Sequence, residues 1–144
     1  MIRQAEPQDL PAVLALLAEA KLPTEGVADH FHSFFVDDHG GRIVASVGLE
    51  LHGEVALLRS LAVMSALRGT GLGAALLRRA LYEAHSRTGE LYALTTTAER
   101  YLSRFGFEPV PRSSVPRQLL QSRELQDACP TSATVLKWVQ RTLD

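Results

Sequence analysis

The chain has 144 residues, of which 46% are hydrophobic and 22% charged, a length and composition typical of one globular domain. A net charge of −1 does not indicate nucleic-acid binding, and no apolar run reaches the ~20 residues that a membrane-spanning helix needs. The N-terminal segment has no signal-peptide core, and the single cysteine, Cys129, excludes an internal disulfide, so we expect a cytoplasmic protein.

The first part of the chain predicts a strand, a helix and a polar segment. Ile2–Ala5 suits a short strand, and the following helix begins at Pro7–Asp9, with Asp9 as its N-cap. Pro23 ends this helix, and its apolar stripe comprises Leu10, Val13, Leu14, Leu17 and Ala18. Thr24–His32 is polar and carries two histidines.

Three strands joined by two turns are predicted next. They are Ser33–Val36, Arg42–Leu51 and Glu54–Val63, with turns at 38–41 and at His52-Gly53. A two-residue loop at His52-Gly53 would place Leu51 opposite Glu54, and Ser46 opposite Arg59. Glu50 and Arg59 then share one face of the sheet, while strand alternation points Ser60 to the other face.

The stretch from Leu57 to Arg79 is the most informative part of the chain. An apolar run, Leu57–Val63, precedes Arg68-Gly69-Thr70-Gly71-Leu72-Gly73, and a helical pattern then continues to Ala84, with Gly89 as the expected C′ residue. A strand, a glycine-rich turn and a helix N-terminus together present backbone N–H groups to an anion. A Walker loop is excluded because no Lys-Ser/Thr pair follows the glycines, and a tight turn without a ligand is the structural alternative.

The charges are unevenly divided between the two parts of the chain. Residues 1–58 carry nine acids and three bases, whereas residues 59–144 carry seven acids and twelve bases. The basic part contains the glycine-rich loop, which fits a polyanionic ligand. A chance distribution over a solvated surface explains the same counts.

The C-terminal part predicts a continued alternation of strands and helices. Strands are expected at Leu91–Thr97, Phe107–Val110 and Ala133–Val139, with a turn at Pro111–Pro116. Helices are expected from Thr97, as cap, to Gly106 and at Arg117–Leu125. Repeats and domain linkers are absent from the sequence, so the pattern predicts one mixed α/β layered domain.

Two motifs resemble those of the GNAT superfamily of acyl-CoA N-acyltransferases. Arg68–Gly73 matches the pyrophosphate loop Arg/Gln-x-x-Gly-x-Gly/Ala, and Ala98–Phe107 is similar to the second motif, whose helix flanks the coenzyme on the opposite side. The resemblance implies a single-domain α/β (α+β) GNAT fold over residues 1–144, with a mixed, mostly antiparallel sheet of about six to seven strands flanked by helices. It implies acetyl-CoA as co-substrate, a small-molecule amine as acceptor and, at family level, a homodimer.

The resemblance also implies which residues bind the coenzyme. They are Leu61, Val63, Arg68, Gly69, Thr70, Gly71, Gly73 and Ala74. By its match to the family's strand, Val63 is expected to donate its backbone N–H to the thioester oxygen. Direct transfer requires a deprotonated amine, a stabilised oxyanion and a protonated thiolate, but no nucleophilic side chain.

Polar residues in and near the strands are candidates for acceptor binding and base catalysis. Arg59 lies in an apolar strand and must face an internal acid or a ligand anion, such as a substrate carboxylate, because an unpaired buried arginine is costly. Glu50 is a candidate general base or an exposed strand-end carboxylate. His30 and His32 have a suitable ordinary pKa for amine deprotonation, or are simply exposed. The spacing of His, Cys and Asp residues does not indicate a metal site.

The proton donor for the leaving thiolate is where the sequence departs from the family pattern. Many GNAT enzymes have a tyrosine four residues before the helix-ending glycine, and Leu102 occupies that position here. Tyr101 is rotated from it by about 100° around the helix. Either Tyr101 is core or wall and water protonates the thiolate, or the helix is placed differently and Tyr101 is the catalytic acid. Cys129 fits a small buried hydrophobe better than a nucleophile.

Several stretches are similar to two particular branches of the superfamily, the acetyltransferase domain of N-acetylglutamate synthases and the small proteins linked to arsenic resistance. The stretches are Gly48–Glu50, Leu58–Leu61, Leu94–Thr97, Ala98-Glu99 and Cys129-Pro130. Both branches imply an amino-acid-like acceptor, glutamate or a toxic mimic of it, bound by Arg59 and Thr95 and by Arg112 and Arg117.

Two other functions remain open from the sequence. The acidic residues 1–58 suit a peptide or protein N-acetyltransferase, which needs an open acidic groove. Leu102 in place of the usual tyrosine suits a coenzyme A sensor without catalysis.

Overall fold

Seven strands form one sheet in the order β1-β2-β3-β4-β5-β7-β6 in a computed structural model that describes residues 1–128 and 130–139. The strands are β1 Ile2–Gln4, β2 Phe34–His39, β3 Arg42–His52, β4 Val55–Val63, β5 Glu90–Thr95, β6 Phe107–Pro109 and β7 Thr134–Trp138. β4 and β5 pair in parallel, and the other neighbouring strands pair antiparallel. This confirms the expected mixed, mostly antiparallel sheet.

Helices cover both faces of the sheet. The α-helices are α1 Leu10–Glu19, α2 Leu72–Arg87 and α3 Glu99–Ser103, and 3₁₀ helices cover Pro7–Asp9, Ala28–Ser33, Ser65–Leu67, Arg112–Ser114 and Arg117–Gln121. The apolar face of α2 packs in one core cluster with Phe35, while α1 packs in another with Phe34 and Val36. Because neighbouring strand residues point to opposite faces, the two helices lie on opposite sides of the sheet. Within the described residues we find no helix of the length and apolarity that a membrane span requires.

The predicted register of the β3–β4 hairpin is wrong by two residues. His52 pairs with Val55, so the two-residue loop is Gly53-Glu54, and Arg59 lies opposite Gly48 rather than Ser46. Gly53 has φ +71°, a conformation that favours glycine at this turn position. A slip of two residues keeps every side chain on its face. Glu50 and Arg59 therefore do share a face, as predicted.

The expectation that Ser60 faces away from Arg59 is also wrong. The β3–β4 register shifts between Ser46 and Gly48, and at this bulge Ser60 adopts φ +61°, which is uncommon for a residue other than glycine. The Ser60 hydroxyl accepts a hydrogen bond from Arg59 Nε at 3.1 Å. The bulge brings the two side chains to the same side.

The start of α3 and the end of α2 differ from the predictions. α3 begins at Glu99, with Ala98 rather than Thr97 as its N-cap and without a side-chain cap, while the Thr95 hydroxyl accepts the Ala98 N–H at 2.8 Å. α2 ends at Arg87, and Gly89 donates its N–H to the Glu54 carbonyl at 2.8 Å instead of adopting a left-handed cap.

The single helix predicted at Arg117–Leu125 is also wrong. The chain forms a 3₁₀ helix at Arg117–Gln121 and then a π-helical turn at Glu124–Ala128. The prediction for Cys129 lies outside the described residues.

Arg3 joins the start of the first helical segment to β1 and β2. Asp9 has the N-cap position of α1, but its carboxylate accepts the Glu6 N–H at 2.8 Å and both terminal nitrogens of Arg3, at 2.8 and 3.1 Å, instead of capping α1. Arg3 also binds Asp38 at 3.1 Å. The hydrogen bond from Arg3 lowers the pKa of Asp9, while the Gly41 N–H and Arg3 lower that of Asp38.

We predict that Arg3→Met lowers the melting temperature at pH 7. A lowered aspartate pKa stabilises the fold above the unfolded pKa of about 4, and this stabilisation is lost as the pH falls through the folded pKa. The difference in melting temperature between wild type and variant should therefore shrink as the pH falls below about 4. Thermal melts from pH 7 to pH 2 test this, and a difference that does not depend on pH would contradict it.

Gly48 leaves room for an aromatic ring across the β2–β3 pair. It lies opposite Phe34, whose ring covers it so closely that a Cβ atom at Gly48 would overlap the ring. We predict that Gly48→Ala lowers the free energy of unfolding by about 1–3 kcal/mol, because the buried ring has to shift. Urea denaturation measures the loss. In a Phe34→Leu background the same substitution should cost less, and an equal cost in both backgrounds would show that the ring is not the cause.

Candidate active site

The parallel strands β4 and β5 separate along their length. They pair from Val55 with Glu90 to Leu58 with Ala93, and beyond these residues β4 continues to Val63 without pairing with β5. The carboxyl ends of parallel strands lie at the same edge of a sheet. A gap therefore opens at that edge, between the last residues of β4 and the turn that follows β5.

A cleft of about 480 Å³ occupies this gap. Its lining comprises Lys21–Pro23 after α1, Leu58–Leu61 of β4, Ala93–Ala98 from the end of β5 and the turn that follows it, Leu102 of α3, Glu124 and Pro130. The volume lies within the range of ~300–1,000 Å³ that small-molecule sites occupy. The lining is mainly apolar, with hydroxyl groups from Ser60 and the three threonines 95–97.

The glycine-rich loop connects β4 to the N-terminus of α2. Gly69 and Gly71 have φ +81° and +91°, and Gly71 is the N-cap of α2. The first N–H groups of a helix have no partner within it, so those of Leu72, Gly73 and Ala74 are directed outward from the N-terminus. The positive end of the helix dipole adds to this, and the loop is thereby suited to bind a phosphate or pyrophosphate.

The end of β4 directs main-chain groups into the gap. The Met64 N–H bonds the Val44 carbonyl at 2.8 Å, so the neighbouring pair of Ala45 and Val63 is a non-hydrogen-bonded pair of the ladder. The N–H and C=O of Val63 therefore point away from β3, toward the side where β5 has separated. In agreement, the Val63 carbonyl accepts a hydrogen bond of 3.2 Å from Nε of Arg68, a residue of the glycine-rich loop. The Val63 N–H is therefore directed into the gap.

Arg59 is paired with protein acids rather than open to the cleft. Its side chain is fully buried, with NH1 2.6 Å from Glu50 Oε2 and Nε 3.4 Å from Glu124 Oε2. NH2 donates to the Pro23 carbonyl at 3.2 Å, and Nε donates to Ser60. Of the two predicted alternatives, the structure has the internal ion pair. Arg59 thus connects β3 to three segments that line the cleft, those of Pro23, Ser60 and Glu124.

Glu50 is fully buried in the same network and is not an exposed carboxylate. Its Oε1 lies 2.9 Å from His52 Nε2 and 3.6 Å from His30 Nε2. Burial raises the pKa of Glu50, but the hydrogen bonds from His52 and Arg59 outweigh it and hold the pKa below its usual range. Burial lowers the pKa of His30, against the opposing effect of Glu50. A carboxylate with both oxygens engaged and a lowered pKa is a poor general base.

The structure brings together His30, Glu50 and His52, which sequence spacing did not connect. Their ligand-type atoms all lie within 4.8 Å of one another. His30 reaches this cluster from the 3₁₀ helix Ala28–Ser33, whereas His32 on the same helix is exposed and does not belong to it. The cluster forms because the β3–β4 hairpin and the helix Ala28–Ser33 bring the three residues together. The spacing of the three residues along the sequence does not reveal this contact.

α3 contributes an apolar side chain to the cleft at the usual tyrosine position. Leu102 lines the cleft, whereas the half-buried Tyr101 packs against Phe105, with ring centroids 5.4 Å apart. A methyl group on Gly73 would lie 3.5 Å from the Tyr101 hydroxyl, so Tyr101 stands beside the α2 N-terminus. Tyr101 itself does not line the cleft and packs at the edge of the core. Thr95 lines the cleft, and its hydroxyl shapes the turn before α3.

The arginines expected at the acceptor are placed elsewhere. Arg112 donates to the carbonyls of Thr131 and Ala133 at 3.4 and 3.2 Å, and neither Arg112 nor Arg117 lines the cleft. Lys21 does line it, and in the part of the chain that the structure describes no acid lies within ion-pairing distance of its ammonium.

The sheet has two separated parallel strands, a main-chain donor in the gap between them and a glycine loop at a helix N-terminus. Together these features define an acyl-CoA-binding domain. The model of the acetyltransferase (GNAT) domain family matches residues 30–109. The chain therefore belongs to the GNAT acetyltransferases, acyltransferases whose donor is acetyl-CoA, and the resemblance seen in the sequence is confirmed. An uncharacterized N-acetyltransferase of Chlorobaculum tepidum is 25% identical over 101 residues, 69% of this chain and 64% of that protein. The chain thus spans less than two thirds of the length of this curated relative.

Solved structures share the fold at low sequence identity. An N-acetylglutamate synthase from Neisseria gonorrhoeae, complexed with coenzyme A and N-acetyl-glutamate, has a TM-score of 0.79 and 22% identity, covering 95% of this chain and 34% of that one. Rv2747 from Mycobacterium tuberculosis, in complex with CoA and NLQ, has a TM-score of 0.79 and 20% identity, covering 97% and 99%. At these identities the likeness concerns the fold.

Proposed function

We propose that this domain transfers the acetyl group of acetyl-CoA directly to the amine of a small amino-acid-like acceptor. The observation that carries the proposal is the gap between β4 and β5, with the Val63 N–H directed into it and the glycine loop at its end. The loop from Arg68 to Ala74 would hold the pyrophosphate, and Leu61 and Val63 the pantetheine arm and thioester. A cleft of about 480 Å³ suits an amino acid better than an extended peptide.

In the proposed mechanism the amine nitrogen attacks the thioester carbon after losing a proton to water in the cleft. The carbonyl oxygen gains negative charge and accepts the Val63 N–H, which stabilises the tetrahedral intermediate. The C–S bond then breaks, the amide forms, and the thiolate takes up a proton. Since Leu102 is apolar, Glu50 is engaged and Tyr101 does not line the cleft, cleft water is the proposed proton carrier.

Lys21, rather than Arg59, is proposed to bind an acidic group of the acceptor. Arg59 already neutralises protein carboxylates, whereas the exposed Lys21 lines the cleft. Lys21 has φ +59° at the C-terminus of α1, where its N–H bonds the Ala18 carbonyl and the Leu22 N–H bonds that of Leu17, a turn in which glycine is usual. A lysine at this strained position is consistent with a role for its charge.

Glutamate and its mimics are the acceptors to test first. The solved N-acetylglutamate synthase structure contains N-acetyl-glutamate and coenzyme A, which supports glutamate as the acceptor. The resemblance of the sequence to the arsenic-resistance branch supports phosphonate and arsonate mimics of glutamate as well. The assay follows acetyl-CoA consumption as free thiol across acidic and neutral amino acids, these mimics, polyamines and short peptides. Turnover of an acidic amino acid supports the proposal, turnover of peptides alone indicates a peptide acetyltransferase, and acetyl-CoA binding without any turnover indicates a sensor.

We predict that Lys21→Gly raises the KM for an acidic acceptor about tenfold while the protein becomes no less stable. The substitution removes one ion pair, worth about 1.4 kcal/mol for a tenfold change, and places glycine where the backbone favours it. Steady-state kinetics and thermal melts measure the two effects. Lys21→Arg keeps the charge and should keep the KM, and an unchanged KM in Lys21→Gly would remove Lys21 from acceptor binding.

A further inference from the structure

We propose that His30, Glu50 and His52 form a binding site for a divalent transition-metal ion, of which Zn²⁺ is the best match. The three side chains come from the helix Ala28–Ser33 and from β3, and their ligand-type atoms lie within 4.8 Å of one another. Two imidazole nitrogens and one carboxylate oxygen form a donor set that zinc sites use, with a fourth position left for water.

Glu50 is oriented as a ligating carboxylate would be. Its Oε2 is held by Arg59 NH1 at 2.6 Å, while its Oε1 faces Nε2 of His52 at 2.9 Å and Nε2 of His30 at 3.6 Å. One oxygen is thus fixed by a neighbour and the other is presented to both imidazoles. Carboxylate ligands are commonly held in this way by outer hydrogen-bonding partners.

The cluster needs only small movements to hold an ion. Zn–N and Zn–O distances near 2.0–2.2 Å place tetrahedral donors roughly 3.4 Å from one another. The His30–Glu50 pair, at 3.6 Å, is already near this separation, and the His52–Glu50 pair, at 2.9 Å, is about half an ångström below it. An imidazole binds an ion only through a ring nitrogen that carries no proton, so protons compete with the metal at both histidines.

The surrounding charge also favours a dication. Arg59 is the cation in contact with Glu50, and it is shared with a second acid, Glu124, at 3.4 Å. The Asp29 carboxylate adds another negative charge that acts on His30. The immediate environment therefore carries more negative than positive charge. Two imidazoles favour zinc, copper or nickel over calcium and magnesium, which prefer oxygen donors.

The site lies outside the residues that line the cleft, and the proposed acetyl transfer does not use the ion. A bound metal would instead join the helix Ala28–Ser33 to β3 and hold Glu50 against Arg59, a wall residue of the cleft. Its expected effect is therefore on stability.

The test uses the full chain in a Cys129→Ser background, which removes the thiol as a competing ligand. Chelator-stripped protein is titrated with Zn²⁺ against a chromophoric chelator, and thermal melts are recorded with and without Zn²⁺. We expect one Zn²⁺ per chain and a higher melting temperature with the metal. His30→Ala and His52→Ala should each weaken binding at least about tenfold and remove the thermal shift. His32→Ala, on the same helix but outside the cluster, should behave as the parent protein.

Two results would overturn the proposal. One is a parent protein that binds no Zn²⁺ below about 100 µM, which corresponds to less than about 5.5 kcal/mol of binding. The other is binding that survives unchanged in both His30→Ala and His52→Ala, since the ion would then lie elsewhere. Both readouts are independent of acetyltransferase activity.

Discussion

Replacing Arg59 by methionine is expected to lower the free energy of unfolding by about 3–5 kcal/mol. The substitution leaves Glu50 fully buried and Glu124 nearly so, with no guanidinium between them. A buried carboxylate that loses a guanidinium is expensive because the lost Coulomb attraction no longer helps to offset its desolvation, and for Glu50 only the histidine contacts remain. The Pro23 carbonyl and the Ser60 hydroxyl lose their donor as well. Urea denaturation measures the loss.

The double variant Arg59→Met, Glu50→Leu separates the ion pair from simple packing. Removing both charges should recover part of the stability lost in Arg59→Met, because an apolar pair avoids burying a carboxylate that has lost its guanidinium. The recovery is partial, since Glu124 stays without its arginine. The contrary result is an Arg59→Met variant that is as stable as wild type and impaired only in acceptor binding. That result would contradict the prediction and would show that the guanidinium binds a substrate carboxylate, the second alternative from the sequence.

Much of the fold follows from local patterns in the sequence. The strand, loop and helix from Leu57 to Arg79 are found where the apolar run, the glycines and the 3.6-residue periodicity predict them, because these signals act over short distances. Even the wrong hairpin loop kept Glu50 and Arg59 on one face, because the error was an even number of residues.

The rest depended on contacts between distant parts of the chain. The bulge at Ser60 turns its hydroxyl toward Arg59, and period-two alternation cannot anticipate such a bulge. The N-cap of α3 is Ala98 rather than the expected Thr97, and the Thr95 hydroxyl accepts the N–H groups of Thr97 and Ala98 in the turn before the helix, a contact that the local sequence pattern does not predict. The pairing of Arg59 with Glu124 joins residues 65 positions apart, and the sequence offered no signal for it.

The binding of acetyl-CoA should weaken strongly when a negatively charged side chain replaces Gly71. We expect Gly71→Asp to raise the KM for acetyl-CoA about tenfold above that of Gly71→Asn. Gly71 is the N-cap of α2, with φ +91°, in the loop proposed to hold the pyrophosphate. Asp and Asn have nearly equal size, and both tolerate positive φ better than other side chains, so the two variants share the same backbone strain. They differ by one negative charge next to a phosphate site.

Salt concentration distinguishes repulsion from a steric effect. Unit charges about 6 Å apart near a protein surface repel by roughly 1–3 kcal/mol, which is a tenfold or larger change in affinity. At about 1 M salt the Debye length falls to ~3 Å, so the difference between Gly71→Asp and Gly71→Asn should largely disappear. The strain that both variants share is not screened, and their common deficit relative to wild type should persist. Equal KM values for the two variants at low salt would place the pyrophosphate away from the α2 N-terminus.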